Sequence, residues 1–284
     1  MNIAIIGSSG FVGMNLFYKL AKKHKVYGIS RTKSATTTNQ ADITHKEIGD
    51  LLSRIKPDII IHSAKLREGA DYYETHKEEA ERVEIRGAMN LVEWTAKYNK
   101  KFILISTDYV YEGKTNNYDE SSETRPVNFY GLLKLKLEEI VSQNVKDYAI
   151  LRPTVIFGYL PGDTNFLMQI INAKEKRRIP HDQISNPTDI RILCDYVDGV
   201  IKKEAKGLYV ATGEESLSRY EFTQKIAKVF NKDMGLFQPV STEELNPIAK
   251  RPLKNRTDSS KIRNYLNYNC PRISDSLISI KEGG

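Results

Sequence analysis

The stretch Ile3-Ala4-Ile5-Ile6-Gly7-Ser8-Ser9-Gly10-Phe11-Val12-Gly13 decides the fold. Four apolar residues, enough for a short buried strand, run into a GxxGxxG turn, after which Val12, Leu16 and Leu20 share one helix face. Each glycine has a physical task in such a turn. Gly7 permits the tight bend, Gly10 lets main chain approach a pyrophosphate, and Gly13 allows close packing of a helix whose amino terminus faces the anion. A strand-turn-helix of this kind predicts dinucleotide binding by Gly7, Gly10, Phe11, Val12 and Gly13, provided that further strands follow.

They do. Short β-branched runs recur at Val26–Ile29, Ile59–Ile61, Phe102–Ile105 and Tyr148–Leu151. Between them lie helical spacings: Ile48, Leu51, Leu52 and Ile55, then Val83, Gly87, Leu91 and Trp94. The alternation predicts an α/β chain with a Rossmann-type doubly wound parallel sheet. After Pro153 the strand-like runs shorten and Pro and Gly multiply, which reads as a smaller α/β substrate-binding lobe. A helix around Ile190–Lys202 and the run Gly207–Val210 return to the sheet, while Arg219–Phe230 reads as an outlying amphipathic helix. The expected division is 1–152 plus about 189–211 for an NAD(P)-binding Rossmann domain, and about 153–188 plus 212–284 for the lobe.

Composition narrows the partners. The 284 residues are 40% hydrophobic and 28% charged, and the two cysteines, Cys194 and Cys270, exclude a disulfide-stapled scaffold and fit a reducing, cytoplasmic setting. No apolar run approaches the roughly 20 residues of a membrane span, so neither a signal peptide nor an anchor is expected. The net charge of +7 suits an anionic partner. Its lysines and arginines are scattered and lack the aromatic interleaving of a nucleic-acid surface, so a small phosphorylated molecule is the better fit and nucleic acid is not expected. The five histidines form no HExxH or Cys-His spacing, so no metal is expected. GxSxG and GxxxxGK[ST] motifs are absent too.

The end of the second run selects the cofactor. An acid there would hold a ribose 2′-hydroxyl, whereas this chain reads Ser30-Arg31-Thr32, with charge and donors for a 2′-phosphate. NADPH is favoured over NADH, against the alternative of a solvated surface arginine. Asp42 and Ile43 lie where an adenine would be met. The fourth run ends in Ser106-Thr107-Asp108-Tyr109-Val110, hydroxyls at the carboxyl edge of the sheet, where such sheets bind ligands. Next comes Pro126-Val127-Asn128-Phe129-Tyr130-Gly131-Leu132-Leu133-Lys134, in which Tyr130 and Lys134 share a helix face. With 16 tyrosines an isolated YxxxK means little; its position gives it force.

These residues carry a resemblance. The sequence resembles the extended short-chain dehydrogenase/reductases through Gly7–Gly13, Thr107, Tyr130, Lys134 and Leu151–Gly158. Within them it is similar to the dTDP-4-dehydrorhamnose reductase group through Ser106–Val110, Pro126–Lys134, Asn165-Phe166, Asp182-Gln183 with Pro187-Thr188, and Arg251-Pro252. The resemblance implies reduction by NADPH of a 4-keto group on a nucleotide-linked 6-deoxyhexose. Tyr130 is then the general acid, Lys134 favours its phenolate and binds the nicotinamide ribose, and Thr107 orients the carbonyl. Ser63, Ala64 and Lys65 match cofactor-contacting positions; Asp108, Val155 and Asn165 match substrate-facing ones. Arg251 is a candidate for the diphosphate, weighed against a surface arginine. A homodimer is left open.

Two departures stand out. His62–Asp71 replaces a small-residue, Thr-containing segment, bringing Lys65 and Arg67 toward the site, and Glu84 stands where the family usually has asparagine. The alternatives are another nucleotide-sugar reductase or epimerase, or a regulatory subunit resembling the β subunit of methionine adenosyltransferase.

Overall fold

The run that opens the chain lies inside a seven-stranded parallel sheet. Its strands are β1 (Asn2–Ile6), β2 (Lys25–Ser30), β3 (Asn39–Gln40), β4 (Ile59–His62), β5 (Lys101–Ile105), β6 (Tyr148–Arg152) and the last strand, Gly207–Val210. This is a computed structural model, and it describes residues 1–66, 69–115 and 117–283. From one edge the order is the last strand, β6, β5, β4, β1, β2, β3. The chain therefore winds one way from β1 to β3 and the other way from β4 onward. Such a reversal leaves a crevice at the carboxyl ends of β1 and β4, where open α/β sheets take ligands.

Burial on both faces explains the unbroken apolar runs. Ile3 and Ile5 pack with Leu16 and Leu20 of α1 (Phe11–Leu20) and with the helix Ile190–Lys202. Ala4 and Ile6 face the opposite layer, built by α2 (Ile48–Ile55), α5 (Ala88–Lys97) and α6 (Phe129–Asn144). A third apolar cluster, around Phe157, Ile170, Phe222, Phe237 and Leu277, lies apart from the sheet. It includes the helix Arg219–Phe230, started by a capping box between Ser218 and Glu221. All five strands read from the sequence are present, and so is the return at Gly207–Val210. The one strand of this sheet not anticipated, β3, is two polar residues long and carries no periodic signal.

One helical reading needs correction. Val83, Gly87, Leu91 and Trp94 do not lie on one continuous α-helix. After α3 (Ala70–Thr75) and α4 (Lys77–Glu81), residues Arg82–Gly87 form a π-helical turn before α5 begins. The wider turn changes the register, so Glu84 and Ile85 point inward. No helix among the described residues is long and apolar enough to cross a membrane.

Candidate active site

The glycine turn closes onto the loop after β4. Gly7 has φ of +86°, and a Cβ there would lie 2.7 Å from both the N and Cα atoms of Ala64. A Cβ on Gly13 would lie 2.2 Å from the Gly7 carbonyl oxygen. Ser63 helps hold the loop by donating its hydroxyl to the Ile6 carbonyl at 2.9 Å. Gly10 differs, since a Cβ there would meet only the Gly7 oxygen, at 3.4 Å. Internal packing does not demand glycine at that point; a ligand laid over the turn would. Phe11 extends across to Gly158, where an added Cβ would be 3.0 Å from its ring, and Val12 packs against the core.

At the end of β2, Arg31 is exposed. Ser30 is not a free donor. Its hydroxyl lies 2.8 Å from the Thr32 carbonyl and 2.7 Å from the Thr37 hydroxyl, within a web that includes Thr36 donating to the Ser8 carbonyl at 2.6 Å. Asp42 accepts from the Thr44 amide and hydroxyl at 2.9 and 2.8 Å. Burial opposes its charge, but Thr44, with smaller help from His45 and Arg31, leaves its pKa below the usual range. Ile43 is buried under Gly87 and accepts Asn90 on its carbonyl at 2.7 Å. Lys65 donates to the Leu66 carbonyl at 2.8 Å; Arg67 lies outside the described residues.

The start of α6 is positioned by three elements. Asn128 caps it, accepting from the Gly131 amide at 2.9 Å and donating to the Lys250 carbonyl at 2.8 Å. Glu74 of α3 accepts the Phe129 amide at 2.7 Å. Gly131 lies flush on the Tyr109 carbonyl, which a Cβ would approach to 2.2 Å. This packing sets the Tyr130 ring edge-on between Tyr73, at 5.0 Å, and Tyr109, at 5.7 Å. The Thr107 hydroxyl faces the phenol and itself caps the turn that follows, accepting from the Tyr109 amide at 3.2 Å.

One turn further, Lys134 Nζ lies 2.7 Å from Glu84 Oε2 and 5.9 Å from the Tyr130 ring centroid. The other Glu84 oxygen accepts from the Tyr73 hydroxyl and from the Leu66 amide at 3.3 Å. Burial penalises this carboxylate, yet Lys134 and Tyr73 together hold its pKa below the ordinary value. Other influences outweigh the expected pull of Lys134 toward the Tyr130 phenolate: burial first, then the Glu84 charge, push the phenol well above its usual pKa, with Thr107 opposing. Beside the pair, His62 is buried with no partner on either ring nitrogen among the described residues. Burial, then the Lys134 charge, lower its pKa to about 3, so it stays neutral.

On the far side of the crevice, Asp108 accepts from Asn255 Nδ2 at 2.7 Å, and burial pushes it up to about 6. Val155 is held at φ of +41°, a left-handed conformation that costs a β-branched residue about 1–3 kcal/mol. The Thr188 amide, donating to its carbonyl at 3.2 Å, fixes it there. Asn165 does not present free polar atoms to a substrate. It caps the helix Phe166–Ile171 and spends its amide on the Gly158 carbonyl, at 3.0 Å, and Asp163, at 2.8 Å.

Arg251 donates through Nη2 to Asp71 at 2.8 Å, while its buried Nη1 has no partner among the described residues. Its companion escaped the sequence reading: Arg219, the first residue of its helix, lies 4.9 Å from the Phe166 ring and contacts no acid among the described residues. Burial, and to a smaller degree the Arg251 charge, lower the Arg219 pKa, while Tyr109 and Asp108 oppose the shift. Two cations thus converge beside Tyr109, and only the fold brings them together. Ser106, Glu138, Arg152 and Tyr111 form a further buried network behind Thr107 that the sequence did not suggest.

The family described as RmlD substrate binding domain matches residues 1–280. The dTDP-4-dehydrorhamnose reductase of Aggregatibacter actinomycetemcomitans is 28% identical over 277 residues, covering 92% of each chain. Methionine adenosyltransferase 2 subunit beta of Xenopus laevis is 29% identical over 222 residues, which are 75% of this chain and 66% of that one. Among solved structures, the dTDP-4-dehydrorhamnose reductase of Bacillus anthracis in complex with NADP superposes with a TM-score of 0.89 at 26% identity, covering 100% of this chain and 99% of the other.

Proposed function

The chain belongs to the RmlD substrate binding domain family, and from that premise we propose that it is an NADPH-dependent reductase of the 4-keto group of a nucleotide-linked 6-deoxyhexose, a dTDP-4-dehydrorhamnose reductase. The observation that carries the reading is the meeting of Thr107, Tyr130 and Lys134 at the carboxyl edge of the sheet. The Gly7–Gly13 turn, closed on Ala64, lies at the adjoining switch point. NADPH, when bound, supplies the hydride. Gly7, Gly10 and Gly13 offer main chain to its pyrophosphate, and Arg31 offers charge to its 2′-phosphate.

Thr107 directs the ketone oxygen by hydrogen bonding, and Tyr130 gives its proton to that oxygen as the alkoxide forms, a role worth about 10²–10⁴ in rate. Lys134 offers ammonium hydrogens to the ribose hydroxyls. Arg219 and Arg251 take the sugar nucleotide's diphosphate; the buried Nη1 of Arg251 meets no acceptor among the described residues and is a donor available to it. The substrate lobe, about 153–188 plus 212–284, supplies both arginines.

The test follows NADPH oxidation with the 4-keto nucleotide sugar for the wild type and for Tyr130→Phe. Turnover by the wild type, falling about 10²–10⁴-fold in the variant, supports the reading. Cofactor binding without turnover on any such sugar refutes it and favours a regulatory subunit, the reading that the methionine adenosyltransferase relative supports.

A further inference from the structure

Glu84 is the one acid that Lys134 contacts among the described residues, and its side chain is fully buried. Three separate elements meet its carboxylate: Lys134 of α6 by an ion pair, and Tyr73 of α3 and the Leu66 amide after β4 by hydrogen bonds. The π-helical turn at Arg82–Gly87 turns it inward, and such turns concentrate at functional sites. A carboxylate is expensive to bury unless it is both paired and hydrogen-bonded, and this one is both. A neutral amide at the same place would leave the ammonium without a counter-charge.

We propose that Glu84 is a positioning residue for the reduction: its carboxylate pins the Lys134 ammonium beside Tyr130 and keeps a negative charge near the phenol, so that the hydroxyl holds its proton until the alkoxide forms. The inference rests on the reductase reading above. Tyr130 is faced by Lys134 from its own helix, by Glu84 from the π turn, by Tyr73 from α3, and by Thr107, Asp108 and Tyr109 from the end of β5. Arg219 and Arg251 act on Tyr109, one position further out, and His62 of β4 faces Glu84 in its neutral form. A negative neighbour disfavours the phenolate, and a lone cation would favour it. Removing the Glu84 charge while keeping Lys134 therefore lets Tyr130 lose its proton at lower pH.

The experiment is the pH profile of kcat for the wild type, Glu84→Gln and Glu84→Asp. The wild-type rate is expected to stay level to above about pH 9. Glu84→Gln lowers kcat by about 10–100-fold at neutral pH and brings in an alkaline limb at least about one unit lower than in the wild type. Glu84→Asp, which keeps the charge, retains the wild-type limb. In a Lys134→Met background, Glu84→Gln lowers kcat no further, because the two act as a unit. A Glu84→Gln protein with an unmoved alkaline limb, whatever its melting temperature, overturns the proposal.

If Glu84→Gln does not fold, the wild-type profile decides by itself: a limb already falling from about pH 8 overturns the idea. If the wild type turns over no 4-keto nucleotide sugar, the reductase reading fails separately. Ultraviolet difference titration of the free protein then tests the charge effect. The ionisation that disappears in Tyr130→Phe should move to lower pH in Glu84→Asn, and its staying in place counts against Glu84.

Discussion

Helix α6 carries two buried ion pairs one turn apart, Lys134 with Glu84 and Glu138 with Arg152, and they are satisfied to different degrees. The second is closed on every side. Arg152 approaches Glu138 through Nε at 3.0 Å and through Nη2, and it donates from Nη1 to the Tyr111 hydroxyl at 2.8 Å. Ser106 donates to the same carboxylate, and the Tyr111 hydroxyl in turn donates to the Asp119 carbonyl at 2.7 Å. The first pair uses a lysine, a point charge with rotatable donors, beside the crevice and a histidine with no partner among the described residues. A planar guanidinium locks one geometry, whereas an ammonium keeps donors that a ligand can share. The contrast teaches that the complete network holds the helix and the incomplete one is left for chemistry.

The contrast can be broken most directly at Lys134. Lys134→Met should lower kcat by about 10²–10⁴-fold in the NADPH oxidation assay and raise KM for NADPH. A variant that keeps its turnover would erase the difference between the pairs. Glu138→Gln should instead act on the fold, costing about 3–5 kcal/mol by leaving Arg152 uncompensated and lowering Tm by on the order of 10 °C in calorimetry. KM for NADPH in the surviving fraction should stay near the wild-type value.

Arg31 carries charge outside any such network, which makes its effect narrower. Arg31→Ala should weaken NADPH binding by about 10–100-fold and leave NADH unchanged, as read by cofactor fluorescence titration. Equal weakening of both cofactors would remove it from the 2′-phosphate.

A third buried carboxylate, Asp108, has a hydrogen bond from Asn255 but no ion pair among the described residues, and so sharpens the comparison. Its pKa of about 6 lies above the ordinary value, so the folded chain binds this proton more tightly than the unfolded chain. The stability it contributes is present below the unfolded pKa of about 4 and lost as pH rises through about 6. Asp108→Asn should therefore flatten the fall in Tm between about pH 4 and 6. An unchanged slope would show that the carboxyl ionises freely in the folded protein.

The legible parts of the site are those set by local sterics or short spacing. Gly7 and Gly13 reveal themselves because a side chain there would collide with main chain. Tyr130 and Lys134 do so because residues four apart share a helix face. At Asn165 the sequence leaves capping and ligand binding undistinguished because both use the same amide, and the fold engages that amide within the chain. Arg219 passed unnoticed because a first-turn arginine has no signature until the chain brings Arg251 and Tyr109 beside it.

By itself the sequence determined the parallel sheet, the glycine turn after its first strand and the shared helix face of Tyr130 and Lys134, because apolar period, glycine sterics and helical spacing act over a few residues. Only the tertiary structure decided the electrostatics. Tyr130 is more strongly proton-bound than its neighbouring lysine suggests, since burial opposes its charge and, after that, a π-helical turn distant in sequence brings Glu84 inward. The reason is physical: the pKa of a buried group depends on every charge around it, and those charges come from segments that only folding brings together.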